Sequence, residues 1–379
     1  MKLTITTGMA EFDAVEWNAL SGTHSPFLCY QFLSALEKHG CVREQHGWLP
    51  RHLAARDDND QLIGAVPLYL KDNSYGEFVF DWAWADAYHR NGLNYYPKAV
   101  VAIPYTPATG ARLLTHKDAN RNEVAGQLLR LAEAFAADNK LSSLHFLFLD
   151  EQDRPFFEGD HFMPRTDCQF HWKNRQYADF EGFLSALNAR KRKKIKRERR
   201  YVEDENIKIS ILHGHEADDD VWAIMYHFYC STFEKKSGYP TLSLAFFKEV
   251  SQTMGDQVVL IIARHAAQIV AGAICFRSDD TLYGRHWGCT EEFHSLHFEV
   301  CYYQGIDYCI QHGLQTFEPG AQGEHKLSRG FLPVKTHSRH WIAHEGFREA
   351  IDRYLQQERD SIDDYYDSLM ARSPYKKTE

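Results

Sequence analysis

The stretch Tyr283-Gly-Arg-His-Trp-Gly-Cys289 is typical of a short aromatic strand. From Phe298 to Ile310, apolar residues then recur at the i, i+3, i+4, i+7 spacing of one helix face. A second strand, Leu314 to Phe317, leads into Glu318-Pro-Gly-Ala-Gln-Gly-Glu-His-Lys326, a loop dense in charged and flexible residues. This order predicts an α/β fold whose site lies beyond the carboxyl ends of its strands.

Composition indicates a globular protein with room for two domains. The chain has 379 residues, of which 44% are hydrophobic and 25% charged. No apolar run approaches eighteen residues, and the first residues lack the apolar region of a signal peptide, so we expect a cytoplasmic protein with no transmembrane segment. The eight cysteines form no CxxC pairs, which favours reduced thiols over disulfides or a zinc site.

Other parts of the chain give clear secondary-structure signals. Helices are predicted at 26–39, 121–138 and 344–371, and a buried strand at Leu144 to Leu149. Between them, the aromatic segment from Trp82 to Gly110 is predicted to be irregular.

The second half of the sequence repeats features of the first at an offset of 208 positions. Ala55-Arg56 matches Ala263-Arg264, Gly64-Ala65 matches Gly272-Ala273, and Tyr75-Gly76 matches Tyr283-Gly284. Two β-hairpins would therefore align without a gap, as a duplicated domain predicts. The alternative is a pair of unrelated hairpins in one α+β domain.

A strongly basic segment lies between the two halves. From Arg190 to Arg200, nine of eleven residues are basic, in a chain of net charge −9. We take Lys191, Arg192, Lys194 and Arg197 as candidate phosphate contacts, whether the partner is tRNA, a nucleotide carrier, coenzyme A or anionic lipid headgroups. Lipid binding would bring peripheral contact with the inner membrane face. The alternative is a solvated helix that links domains.

Three features together resemble the Fem-type (FemAB-like) N-acyltransferases, which are built from two GNAT-fold domains. They are the basic helix from Leu184 to Arg200, the helix-strand unit that begins at Tyr302, and the Glu-Pro-Gly that follows it. The strings Phe317 to Lys326 and Phe80-Asp-Trp-Ala-Trp-Ala-Asp-Ala-Tyr88 are similar to a bacterial branch linked by name to peptidoglycan biosynthesis. The resemblance covers roughly residues 25 to 345.

The resemblance implies an α/β (α+β) fold of tandem GNAT-like domains, with mixed sheets flanked by helices. We expect an N-terminal domain at 1–178, a basic junction helix at 179–206, a C-terminal domain at 207–345, and a last helix and tail at 346–379. It also implies acyl or aminoacyl transfer to the amine of a small molecule or peptide, with acyl-CoA or aminoacyl-tRNA as donor and no tightly bound cofactor.

The sequence departs from the usual GNAT pattern at the turn that would bind the acyl donor. Coenzyme A-dependent GNAT domains usually open their central helix with an Arg/Gln-x-x-Gly-x-Gly/Ala turn that holds the pyrophosphate. Here the equivalent turn, Gly288 to His297, lacks the second glycine and carries two carboxylates, Glu291 and Glu292. This counts against acetyl-CoA and leaves both donors open.

Direct attack of an amine on an acyl group needs a general base and no metal. Glu318, held after its strand by a proline, is the first candidate, and His325 is the second. Lys326, Arg329, Glu324 and His286 are candidate substrate contacts. For each of them a structural role, such as pairing of Glu318 with Arg329 or Lys326, is the alternative.

In the first half, Asp81, Trp84, Asp86 and Lys98 combine aromatic faces with fixed charges, as a substrate cleft would. Aromatic residues at this density also build cores, and that alternative stays open. No metal-ligand spacing, P-loop or Gly-x-Ser-x-Gly motif is present. A rival hypothesis is a binding module without turnover, in which the basic helix holds RNA, a phosphate-bearing carrier or anionic lipid.

Overall fold

The computed structural model describes residues 1–376 except 21, 23, 160, 236, 237, 292 and 322. Contacts divide the chain into two compact units. Unit 1 comprises Met1–Asp167 and Lys335–Asp364, and unit 2 comprises Cys168–Val334 and Tyr365–Glu379. This division differs from the expected boundaries at 178, 206 and 345, because it places the basic segment inside unit 2 and divides the last helix.

Fifteen strands are present in the described part of the chain. They are β1 (Lys2–Ile5), β2 (Leu49–Pro50), β3 (Leu53–Arg56), β4 (Leu62–Val66), β5 (Leu68–Lys71), β6 (Lys98–Val101), β7 (Leu114–Thr115), β8 (Ser143–Phe146), β9 (Met163–Lys173), β10 (Lys208–His213), β11 (Val258–His265), β12 (Gln268–Arg277), β13 (Thr281–Cys289), β14 (Thr316–Glu318) and β15 (Leu332–Ile342).

The α-helices in the described part of the chain flank these strands. They are α1 (Ala14–Asn18), α2 (Tyr30–Lys38), α3 (Trp82–Arg90), α4 (Arg121–Asp138), α5 (Phe180–Ala186), α6 (Ala189–Asp204), α7 (Asp219–Glu234), α8 (Leu244–Thr253), α9 (Leu296–Phe298), α10 (Gln304–Gln311) and α11 (Glu345–Ala371). A π-helical turn, Glu299–Tyr303, joins α9 to α10. The prediction of an irregular segment from Trp82 is wrong at its start, where α3 forms. Among the described residues, no helix is long and apolar enough to cross a membrane.

The two units share one strand order. In unit 2, β10, β11, β12 and β13 are antiparallel neighbours, and β14 runs parallel to β13. In unit 1, β1, β3 and β4 are antiparallel, β5 is antiparallel to β6, and β8 runs parallel to β6. Pro67 separates β4 from β5, and these two short strands together occupy the place of β12. The predicted duplication is therefore present in the topology.

The residue-by-residue alignment of the duplication is wrong. A β-bulge lies between Ala55 and Arg56 and another between Ala263 and Arg264, as the repeat implies. However, Ala55 pairs with Gly64, whereas Gly272 pairs with Ile262. This shift of one residue turns the two glycines to opposite faces of their sheets. Accordingly, a Cβ on Gly64 would meet α4, and a Cβ on Gly272 would meet α7.

The match of Tyr75 with Tyr283 arose by chance. Tyr75 lies in an exposed turn, and Tyr283 lies inside β13. The counterpart of β13 in unit 1 is β6, which begins only at Lys98. The intervening residues include α3 and have no equivalent in unit 2.

Each half of the chain contributes one strand that pairs with a strand of the other half. Phe317 of β14 pairs with Trp172 of β9, although β9 follows the final crossover of the first half. Arg339 to Ile342 of β15 pair with Phe146 to Ser143 of β8, although β15 follows the crossover of the second half. Because the chain exchanges these strands, each unit is built from two separate stretches of sequence.

Candidate active site

Glu318 lies where two parallel strands stop pairing. Tyr283 of β13 and Glu318 of β14 form the last pair of this ladder, and β13 continues to Cys289. A β-bulge in β13 falls at Arg285, between the pairs Gly284–Cys275 and His286–Ile274. Bulges bend a strand and re-aim a side chain, and they are frequent beside active sites.

The Glu318 carboxylate is buried and incompletely bonded. The residue is 8% exposed, and its Oε1 lies 3.8 Å from His171 Nδ1. Its Oε2 has no hydrogen-bond partner in the described part of the chain. Burial raises the pKa of Glu318 to about 7, although Arg285 and Lys173 act to lower it. A carboxylate with a pKa near the working pH suits general-base catalysis.

Two neighbours of Glu318 were not anticipated from the sequence. His171 is on β9, beside β14, and its Nε2 lies 3.1 Å from Gln169 Oε1. Burial lowers the pKa of His171 to about 3, so the ring is neutral and the Glu318 charge is not neutralised there. Arg285 is the positive group that most favours the charged form of Glu318.

Lys326 and His325 follow Glu318 in the polar loop and differ in their surroundings. Lys326 is buried and donates from Nζ to the Gly320 carbonyl at 2.6 Å, and burial lowers its pKa to about 8. His325 is exposed, and its Nε2 lies 2.8 Å from the Tyr302 hydroxyl. No hydrogen bond or ion pair joins His325 to Glu318 in the described structure. Gln322 of this loop lies outside the described residues.

Arg329 and Glu324 both pair with other residues of unit 2. Arg329 is buried; its Nη2 lies 2.8 Å from Glu198 Oε1, and its Nη1 donates to the His325 carbonyl at 2.8 Å. Glu324 is exposed and pairs with Arg372 at 3.0 Å and with the Tyr365 hydroxyl at 2.9 Å. The alternative pairing expected for Glu318 with Arg329 is therefore wrong, since Glu198 is the partner of that guanidinium.

His286 packs among aromatic rings. Its ring centroid lies 4.7 Å from that of Tyr229 and 5.8 Å from that of Phe247, both in edge-on geometry. Burial lowers the pKa of His286 to about 3, which makes it a neutral member of this cluster.

Of the four candidates of the first half, three are buried and one is exposed. Lys98 is fully buried and donates to Asp81 at 2.5 Å and to Glu77 at 2.8 Å. Trp84 is buried, with its ring 5.2 Å from that of His340. Asp86 is exposed and pairs with Arg90 one helical turn away. Lys98 and Asp81 therefore pair with each other inside unit 1, and their role as substrate contacts stays a prediction.

The basic segment forms helix α6, which begins where the Asn188 side chain accepts from the Lys191 amide at 3.1 Å. Ile195 and Val202 face the core. Of the predicted phosphate contacts, Arg197 is exposed, whereas Lys191, Arg192 and Lys194 are partly buried. The most exposed stripe is instead formed by four residues at helical spacing: Arg190, Lys193, Arg197 and Arg200. None of them has an ion pair within the described residues.

Comparison with known proteins shows to which family the chain belongs. The model of the FemAB-like family, described as peptidoglycan biosynthesis/recognition, matches residues 8–377. The chain belongs to the FemAB-like family. The expected resemblance is therefore confirmed over nearly the whole sequence, and no match was found among curated proteins.

Solved structures similar to this FemAB-like chain support the expected tandem α/β fold. FemX has a TM-score of 0.53 at 11% identity, covering 93% of this chain and 100% of its own. A conserved protein of unknown function from Bacteroides thetaiotaomicron VPI-5482 has a TM-score of 0.54 at 9% identity, covering 90% and 99%. The C-terminal domain of a putative lysylphosphatidylglycerol synthetase from Agrobacterium fabrum has 0.51 at 6%, covering 84% and 89%. At these identities the likeness shows the fold alone.

The raised pKa of Glu318 predicts how stability depends on pH in this FemAB-like protein. The pKa of the Glu318 carboxyl is 4.5 in the unfolded chain and about 7 in the folded protein. The folded state therefore binds the proton more tightly, which stabilises it fully below pH 4.5. This stabilisation is lost as the pH rises through about 7. Glu318→Gln removes the buried charge. Its free energy of unfolding in urea should exceed that of the wild type by a margin that grows by on the order of 3 kcal/mol from pH 4.5 to pH 8. A margin that is equal at both pH values would contradict the assignment.

Proposed function

We propose that this FemAB-like protein transfers an acyl or aminoacyl group to an amine, with Glu318 as the general base. The observation that carries the proposal is the buried carboxylate at the end of β14, with one unbonded oxygen and a pKa raised to about 7. Family membership supports a transferase acting on a cell-wall precursor, because the family is described by peptidoglycan biosynthesis/recognition.

The reaction needs a single displacement at the acyl carbon. The amine nitrogen attacks the carbonyl carbon, the C–N bond forms, and Glu318 accepts the proton that the nitrogen loses. The bond to the leaving group then breaks, and the thiolate of coenzyme A or the ribose oxygen of tRNA takes up a proton as it departs. Burial of Glu318 strengthens its basicity, since water does not stabilise the charged form.

Lys326 and Arg285 have supporting roles in this proposal. The bond from Lys326 to the Gly320 carbonyl holds the loop after Glu318 in place. Arg285, re-aimed by the bulge, keeps part of the Glu318 population charged, because it opposes the effect of burial on the pKa. We assign both residues to positioning of the base.

For the acyl donor, the exposed basic stripe of α6 favours aminoacyl-tRNA over a coenzyme A thioester. The stripe runs along the solvent side of the helix and is free of ion pairs within the described residues, so its cations are available to phosphates. In the turn from Gly288 to His297, Glu291 is exposed and repels a pyrophosphate, and Glu292 lies outside the described residues.

The stripe can be tested by its salt dependence. Replacing Arg197 and Arg200 with Gln should weaken tRNA binding and reduce the slope of log K against log salt by about 1.4 to 1.8. A matched control is Lys117→Gln with Lys140→Gln, which removes the same charge from exposed positions of unit 1. Equal slopes for the two double variants, measured by filter binding, would remove the stripe from the donor site.

The activity itself is tested by incubating the protein with an amine-bearing muropeptide and either aminoacyl-tRNA or acyl-CoA. Mass spectrometry should detect a new amide with one of these donors. Tight binding of tRNA without any amide product would instead support the binding-module hypothesis.

A further inference from the structure

Unit 1 contains a small cavity that Glu318 does not line. Its volume is about 100 Å³, room for about three water molecules. The lining combines the aromatic residues Phe80 and Phe148 with Arg165, Thr166 and Ser338. Phe80 is 46% exposed, so the cavity reaches the surface of the unit. A site of this size and mixed polarity suits a small group such as a short acyl chain.

Ser338 connects this cavity to a chain of buried hydrogen bonds. Its hydroxyl lies 2.8 Å from Nε2 of His340, and Nδ1 of His340 lies 2.8 Å from Nδ1 of His145. Nε2 of His145 lies 3.2 Å from the Tyr95 hydroxyl, which donates to Asp81 at 2.6 Å. All five residues are buried.

The negative charge of Asp81 determines which group donates and which accepts in each of these hydrogen bonds. Tyr95 donates to Asp81, so its oxygen accepts from Nε2–H of His145, which the carboxylate also attracts from 3.9 Å. Nδ1 of His145 is then bare and accepts from Nδ1–H of His340. This leaves Nε2 of His340 bare and directed at the Ser338 hydroxyl.

The neighbouring charges and burial keep these hydrogen bonds in the protonation states just described. Lys98 lowers the pKa of Asp81 to about 2 against the effect of burial, so Asp81 stays an acceptor. Burial lowers the pKa of both histidines, that of His145 to about 3, so each ring is neutral and carries one proton. Ser143 Oγ, 2.8 Å from Nε2 of His145, provides a second acceptor at the same nitrogen.

We infer that Ser338 is a nucleophile, with His340 as its base and His145, Tyr95 and Asp81 as positioning residues, and that it hydrolyses small acyl esters in the cavity. A serine becomes reactive when a neutral histidine accepts its proton and a buried acid fixes the histidine tautomer. Here His145 and Tyr95 lie between the base, His340, and the buried acid, Asp81. This activity is separate from amide formation at Glu318.

The reaction has two balanced steps. Ser338 Oγ attacks the ester carbonyl, its proton moves to Nε2 of His340, and the alcohol leaves with that proton as its C–O bond breaks. Water then attacks the acyl-serine and gives a proton to the same nitrogen, which returns it to Ser338 as the carboxylic acid departs. The cavity limits the acyl group to about the size of acetyl.

Methanesulfonyl fluoride, which is small enough for the cavity, tests the nucleophile directly. Ser338 Oγ should displace fluoride, and peptide mass spectrometry should find the sulfonyl group on Ser338 at least a hundred-fold faster than on Ser361, an exposed serine of α11. Hydrolysis of p-nitrophenyl acetate should fall to the background rate in Ser338→Ala and stay unchanged in Ser361→Ala. No adduct on Ser338, or one formed no faster than on Ser361, would overturn the inference.

The role of the histidines is tested on the folded wild type and on one variant. The ¹⁵N shifts of the two rings should report a proton on Nδ1 of His340 and on Nε2 of His145, and the opposite pair of tautomers would overturn the proposed direction. His340→Gln should slow sulfonylation of Ser338 by about a hundred-fold or more. An unchanged rate in folded His340→Gln protein would exclude His340 as the base.

Discussion

Glu318→Gln is expected to lower turnover by about a hundred- to ten-thousand-fold while substrate affinity changes little. The amide keeps the shape and volume of the carboxyl group but cannot accept the proton from the attacking amine. Wild-type turnover should rise with pH through about 7, as Glu318 loses its proton. Part of the loss in the variant should be recovered at high pH, where the amine arrives already deprotonated. Steady-state rates with a verified donor and acceptor measure both effects.

Two matched variants make this test specific. Glu234→Gln changes an exposed carboxylate of unit 2 in the same way and should keep the wild-type rate. His325→Gln tests the competing base, whose ring bonds to Tyr302. If His325→Gln abolished transfer while Glu318→Gln retained it, His325 would be the base. If neither variant changed transfer, the polar loop would not contain the catalytic group.

The second large effect is on stability. Lys98→Met should lower the free energy of unfolding by about 3 to 5 kcal/mol, because it leaves two buried carboxylates, Asp81 and Glu77, without their shared cation. Lys98 also donates to Ser74 at 2.9 Å, so the variant breaks a network of bonds. Urea unfolding followed by tryptophan fluorescence would measure the difference.

Lys117→Met is the control for this substitution, since Lys117 is exposed in unit 1 and the change should cost less than about 0.5 kcal/mol. Equal stability of the two variants, with loss of substrate binding only in Lys98→Met, would return Lys98 to the substrate site. The buried position of Lys98 argues for the structural outcome.

The sequence predicted elements whose signals are local. Helix α4 was predicted at 121–138, the bounds it has, and the start and end of α11 differ from the prediction by at most one residue. Both helices carry regular apolar spacing. The register of the repeated hairpins was not predictable, because one residue of slippage leaves the apolar pattern of a strand buried on both faces unchanged.

The candidate site was predictable only in part. Glu318 stood out because it ends a strand and precedes a proline. Its neighbours Arg285 and His171 did not, since a bulge and the pairing of β9 with β14 bring them there, and neither leaves a local pattern. Arg329 looked available for a substrate, but Glu198, 131 positions away, binds it in the fold. Pairings between distant residues decide such cases.

The exchange of β9 and β15 between the two halves of the chain affects how the protein folds during its synthesis. A ribosome releases the first half of the sequence long before β15 has been synthesised, so β8 lacks this neighbouring strand during that time. Until residue 342 has emerged, β8 can pair with β6 on one side, but its other side, which later pairs with β15, stays open. An open edge of this kind invites pairing with other chains. The protein should accordingly depend on a ribosome-bound chaperone more than a tandem protein in which each domain is completed before the next is synthesised.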